Sequence, residues 1–134
     1  MQFTEREIEG IRIVDLEGRL AVGKAAETVR AHLKGLAESG VKNVILNMAG
    51  VDYIDSTGLG LLVVCYTTFR KVGGALKLLN LSRRSIELLL LTKLETVFEV
   101  FDDEQDAVNS FFPNRHVKKF DILSFIQQQQ EEQN

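Results

Sequence analysis

The chain has 134 residues, of which 45% are hydrophobic and 26% charged, with a net charge of −3 from 16 basic and 19 acidic side chains. That length fits one domain able to bury a core without disulfide or metal, and the balanced charge excludes the basic stripe that nucleic-acid binding needs. One cysteine, Cys65, excludes an internal disulfide framework, and the longest uncharged stretch, Ser56 to Phe69, falls short of the roughly 20 apolar residues that span a bilayer.

The elements alternate along the chain. Phe3 to Ile8 and Ile11 to Leu16 read as two strands joined at Glu9-Gly10, a connection short enough to require antiparallel pairing. Gly18-Arg19-Leu20 closes the second strand. Ala26, Val29, Leu33 and Leu36 recur at steps of three and four and predict a helix over Lys24 to Glu38, stopped by Ser39-Gly40. Val41 to Met48 is a strand whose run Val44-Ile45-Leu46 suits burial on both faces. Gly50 to Asp55 is read as the loop leaving it. A helix from Ser56 to about Val72 ends at Gly73-Gly74, and Ala75 to Leu79 is the fourth strand. Ser82 caps a helix running to about Thr92. Val97 to Phe101 is a last short strand, and Asp103 to Phe112 a helix with acids in its first turn and Pro113 beyond its end.

Residues 1–113 therefore make one α/β domain: a mixed sheet of four to five strands with about four helices. Residues 114–134 are an extension in which Phe120, Leu123 and Ile126 have helical spacing. We expect a short helix there that docks loosely or joins a partner, a second copy of the chain included, followed by a disordered polar end, QQQQEEQN. The N-terminal MQFTEREIEG carries no apolar signal core, and the lone thiol suits a reducing compartment, so the expected location is the cytoplasm.

The stretch Val51-Asp52-Tyr53-Ile54-Asp55-Ser56-Thr57-Gly58-Leu59-Gly60 is the most informative. It leads from a buried strand straight into a helix. Asp55, Ser56 and Thr57 suit a helix start, where the first N–H groups lack intrahelical partners. Gly58 and Gly60 each cost about 1 kcal/mol against alanine in a helix, which suggests that another surface approaches the backbone closely. These are also the residues of a plain capping cluster with packing glycines. A hydroxyl exposed at a helix start is, in addition, accessible to a kinase. A phosphate there adds about −1.5 to −2 charges; the helix dipole favours it, and Asp52 and Asp55 oppose it.

The run IDSTGLGLL after the strand VKNVILNM resembles the signature of STAS domains and is most similar to that of the anti-sigma factor antagonists. The resemblance extends over about residues 3 to 112. It includes the order of elements and the Val72-Gly73-Gly74 turn before ALKLL. It implies a partner-switching cycle: the unphosphorylated domain binds an anti-sigma factor that is also a serine kinase, phosphorylation releases it, and a serine phosphatase resets it. It makes Ser56 the phosphoacceptor and Asp55 the acid that shapes the site, with Thr57 and Gly58 completing the loop. The candidate contact surface is Asp52, Asp55, Thr57, Gly58, Leu59 and Leu61, together with Arg19 and Ala21 of the segment GRLAVG. Family members often carry an acid after that leucine, where this chain has Ala21.

Other residues have plainer readings. Cys65 lies inside the apolar LLVVCY and is read as a structural thiol, and His32 and His116 as surface or tail histidines. Leu88 to Leu91 should pack on the sheet with an outward leucine left for contacts. No Ser/His/Asp set, phosphate loop or metal-ligand spacing is present, so no catalytic residue, cofactor or metal is expected. The alternative to a switch is a non-switching STAS adaptor, such as a subunit of a bacterial lipid-transport ATPase complex.

Overall fold

The computed structural model describes residues 1–133, with the side chains of 1–128. Strands β1 (Gln2–Ile8) and β2 (Ile11–Leu20) form an antiparallel hairpin in which Ile8 faces Ile11. Its two turn residues, Glu9 and Gly10, both have positive φ, the geometry that matches the twist of the flanking strands. Strands β3 (Asn43–Ile54), β4 (Ala75–Leu79) and β5 (Val100–Phe101) then add in parallel, giving one sheet in the order β1-β2-β3-β4-β5.

Helices α1 (Lys24–Glu38), α2 (Ser56–Lys71) and α3 (Arg83–Leu91) cover one face of the sheet. Val14, Leu46 and Leu78 point into that layer and meet Leu33, Leu62 and Phe69, all almost fully buried. The other face carries Ile11, Ile13, Ile45, Leu79 and Phe101 against Ala107 and Val108 of α4 (Glu104–Asn109). The four predicted positions of α1, Ala26, Val29, Leu33 and Leu36, are all buried, and α1 and β4 have the expected boundaries. Ser82 caps α3 as expected, its hydroxyl accepting from the Ser85 N–H.

Four elements have bounds that differ from the sequence reading. β2 continues to Leu20 and β3 to Ile54, so most of the segment read as a loop, Gly50 to Asp55, is strand. Pairing persists through Glu17↔Gly50, Gly18↔Val51, Arg19↔Tyr53 and Leu20↔Ile54 because two register shifts absorb the irregular backbone. Gly50 sits at the first shift, where a Cβ would lie 2.7 Å from the Leu16 carbonyl oxygen. β5 is only two residues, since the Val97 and Phe98 N–H groups turn back to the Leu94 carbonyl at the end of a 3-10 helix, Leu94–Thr96. α4 stops at Asn109, short of Phe112.

The extension folds back on the domain. Phe120 and Ile122 pack against the larger core cluster, and α5 runs from Ile122 to Gln133. The expected disordered end falls largely on residues 129–134, whose side chains lie outside the described residues.

A Cβ at Gly74 would lie 1.8 Å from the Lys42 carbonyl oxygen, whereas one at Gly35 in α1 would meet nothing within 4 Å. Gly74→Ala is therefore expected to destabilise by about 1–3 kcal/mol and Gly35→Ala to stabilise by about 1 kcal/mol. Urea unfolding of the two variants measures both signs.

Candidate functional site

β3 delivers its last residue, Ile54, into the core, and Asp55 turns the chain into α2. Asp55 is the N-cap of that helix. Its Oδ1 accepts from the Gly58 N–H at 2.9 Å, and its Oδ2 accepts from the Val22 N–H at 3.1 Å. One carboxylate thus ties the start of α2 to the turn between β2 and α1. Those two backbone donors hold the Asp55 carboxyl below the usual carboxylate range, the Gly58 N–H contributing most.

Ser56 is the first helical residue and is exposed, as is Thr57. Its side chain stands on the rim formed where β2, β3 and α2 converge. Gly58 is buried. A Cβ there would lie 2.0 Å from the Leu20 carbonyl oxygen, so the surface that approaches this glycine is the chain's own β2. Gly60 differs: it is exposed and a Cβ would meet nothing within 4 Å. One turn after Ser56, it shares that residue's face of the helix.

The structure therefore divides the expected contact residues. Ser56, Thr57, Asp52 and Arg19 are exposed, and Ala21 is half-buried. Leu59 and Leu61 are buried in the core, at 6% and 7% exposure, and Gly58 is sealed by Leu20; their expected place on a contact surface is corrected accordingly. Helix α2 is apolar almost all round, so its sequence period did not say which leucines face inward.

Two residues join the site that the sequence reading did not single out. Val22, 75% exposed, stands next to the Asp55 bridge, and Tyr53, 40% exposed, lies under the Arg19 guanidinium at 4.2 Å from ring centre to Cζ. Arg19 and Tyr53 are register partners across β2 and β3, so the stack is set by strand pairing. The available signal for Tyr53 was an aromatic residue bracketed by Asp52 and Asp55. Val22, Tyr53 and Arg19 thus add apolar and cationic surface at the junction of β2, β3 and α2, whose first residue is the serine.

The remaining candidates are structural. Cys65 is buried, and loss of solvent pushes its thiol up to about 12. His32 is a partly exposed surface residue that hydrogen-bonds Glu5 and meets the Phe3 ring. Arg83 pairs with Glu87 within α3. Leu91 is the outward leucine anticipated in its run. Among the described residues no group of three His, Cys, Asp or Glu side chains is placed to hold a metal ion, and no helix is long and apolar enough to cross a membrane.

A five-stranded mixed sheet with an N-capped helix presenting an exposed serine at the end of its third strand is the arrangement of a STAS-type domain. The chain belongs to the STAS domain family, whose model matches residues 2–107. It is 38% identical over 95 residues to the anti-sigma-B factor antagonist of Bacillus subtilis (strain 168), an alignment spanning 71% of this chain and 85% of that protein. In fold it is similar to the anti-sigma factor antagonist SpoIIAA in its unphosphorylated form, with a TM-score of 0.63 at 23% identity, covering 84% of this chain and 99% of that one. The phosphorylated form of SpoIIAA, described as a Bacillus cell fate determinant, aligns with a TM-score of 0.66 at 22% identity, covering 82% and 99%.

The depressed Asp55 carboxyl sets a sign for pH. Its folded value lies below its unfolded value, so its contribution to stability is complete above the unfolded value, about 4, and is lost as pH falls through the folded value. Asp55→Asn is expected to unfold at lower temperature than the parent at pH 7. The gap should close as pH falls below about 4. Calorimetry of both proteins across that range reads it.

Proposed function

We propose that the chain is an anti-sigma factor antagonist in which Ser56 is the phosphoacceptor of a partner-switching cycle. Unphosphorylated, the rim of Ser56, Thr57, Gly60, Val22 and the Arg19–Tyr53 stack docks an anti-sigma factor that is also a serine kinase. The kinase transfers the γ-phosphoryl of ATP to Ser56 Oγ, ADP leaves, and the complex separates. A serine phosphatase restores the hydroxyl, and the cycle runs in the cytoplasm. In this reading residues 1–113 are the binding module and 114–134 an appended segment.

The observation that carries this is the exposed Ser56 at the first position of a helix whose cap is already occupied. An empty helix start would neutralise a phosphate with its free N–H groups and dipole. Here Asp55 has taken the Gly58 N–H and is held ionised beside the serine. A phosphate on Ser56 therefore meets a fixed negative charge, and its own charge is directed outward to the partner. The likeness to a relative that bears the antagonist's name supports the same assignment.

Because Ser56 makes no part of the core, its modification should leave the scaffold intact. Like-charge juxtaposition at an interface costs several kcal/mol, enough to weaken binding at least about tenfold. Incubation with a cognate anti-sigma kinase and ATP is expected to place one phosphate on Ser56 and none on Ser56→Ala, read by mass spectrometry. Ser56→Asp should bind the kinase about tenfold or more weakly than the parent with an unchanged circular dichroism spectrum. Undiminished binding by both Ser56→Asp and the phosphoprotein would point to the non-switching adaptor.

The open Gly60 gives a separate test. Gly60→Ala should stabilise the helix by about 1 kcal/mol. Gly60→Phe should keep the fold but lose kinase binding, read by titration calorimetry.

A further inference from the structure

A cavity of about 540 Å³ lies beside β5, between that strand and the chain that follows α4. Its size falls in the range of small-molecule sites. Phe98 and Phe101, both buried, line it from the domain, and Phe112 and Phe120 line it from the chain beyond α4. The charged residues around it are Glu95, Glu99, Arg115 and Lys119. Two of the four are already paired. Glu99 Oε2 lies 2.7 Å from Lys77 Nζ. Arg115 donates to both Glu9 carboxylate oxygens, at 2.7 and 2.8 Å, and lies 3.9 Å over the Phe112 ring. The lining hydroxyls are engaged as well, Thr96 donating to the Lys93 carbonyl and Ser110 to that of Ala107.

Glu95 and Lys119 are the exceptions. Glu95 stands on the 3-10 helix, and its Oε2 is sealed from solvent without a hydrogen-bond donor. Among the described residues it is the one side-chain polar atom so placed. A buried acceptor left unmatched weakens the fold, so its retention calls for a use. The terminal torsion of a glutamate is broad and two-fold, so either oxygen can turn toward the cavity. No ion pair joins Glu95 to Lys119, whose ammonium has no acceptor among the described residues. The domain thus offers an unmatched carboxylate and the extension an unmatched ammonium, alongside aromatic rings from both. A lone cation would meet Lys119 and Arg115 there, and a lone anion Glu95 and Glu99. The complement is a small zwitterion with an apolar ring.

We propose that this cavity binds a free aromatic amino acid. Its ammonium donates to the Glu95 carboxylate, its carboxylate accepts from Lys119, and its ring rests among Phe98, Phe112 and Phe120. The assignment does not rest on the role of Ser56.

Thermal unfolding and titration calorimetry of the full chain test it. L-Phenylalanine and L-tryptophan, added up to about 10 mM, should raise Tm progressively with concentration. Phenethylamine, which lacks the carboxylate, and phenylpropionate, which lacks the amine, should each bind about tenfold or more weakly than phenylalanine. Glu95→Met separates binding from folding. It should raise the Tm of the ligand-free protein, because the unmatched oxygen is gone, and weaken phenylalanine binding about tenfold or more. Lys119→Met, at an exposed position, should leave the ligand-free Tm unchanged and weaken binding several-fold. Ser56→Ala should bind as the parent does. Absence of binding by both amino acids would overturn the assignment, as would equal binding of phenylalanine and its two analogues. So would a Glu95→Met protein that binds as the parent does or melts below it.

Discussion

The first turn of α2 lies against the last residue of β2 so closely that Gly58 has no room for a methyl group, a Cβ falling 2.0 Å from the Leu20 carbonyl oxygen. The Asp55 N–H points at that same carbonyl, at 3.4 Å, while the Asp55 carboxylate takes the Gly58 and Val22 donors. Four residues of α2's start are thereby fixed to a strand and to the turn after it. The position of Ser56 follows from this contact. It is presented by the junction of a sheet and a helix, so its hydroxyl is exposed without being on a mobile tip. The two register shifts in the β2–β3 ladder belong to the same arrangement. They carry both strands onward to Leu20 and Ile54, the residues on which the junction is built.

Much of this was legible before any coordinates. Helical spacing placed α1, and the alternation of apolar strands with helical segments placed the sheet. Ser82 and Asp103 announced helix starts through the ordinary chemistry of caps, and each accepts from the backbone three residues on. The Asp-Ser-Thr run also pointed correctly to the start of α2.

What was hidden had physical causes. A strand that bends through bulges loses its period, so the end of β3 read as a loop. A helix that is apolar nearly all round has no inward side in its pattern, so Leu59 and Leu61 were assigned outward and are buried. The cause of one glycine in a pair is likewise invisible in sequence. Gly58 is required by the Leu20 carbonyl, 38 residues earlier in the chain, whereas a Cβ at Gly60 would meet nothing within 4 Å. Tyr53 acquires its meaning only from the strand that brings Arg19 across it.

Helix α2 carries two surfaces, the rim at Ser56 and a groove beside α1. Ser56 and Val64 are eight residues apart, about 12 Å along the helix. The screening length at physiological salt is about 8 Å, so charge added at the serine fades before it reaches the groove. In the proposed cycle, a phosphate at Ser56 would act on whatever touches the rim of Val22, Tyr53 and Arg19. The groove between α1 and α2 is lined by Val64 and Val72 with Arg30, Lys34, Glu38 and Lys71 around them, away from that rim. One helix can hold both because its N-terminal end is fixed by backbone geometry, while its outer flank is shaped only by which side chains α1 and α2 leave exposed.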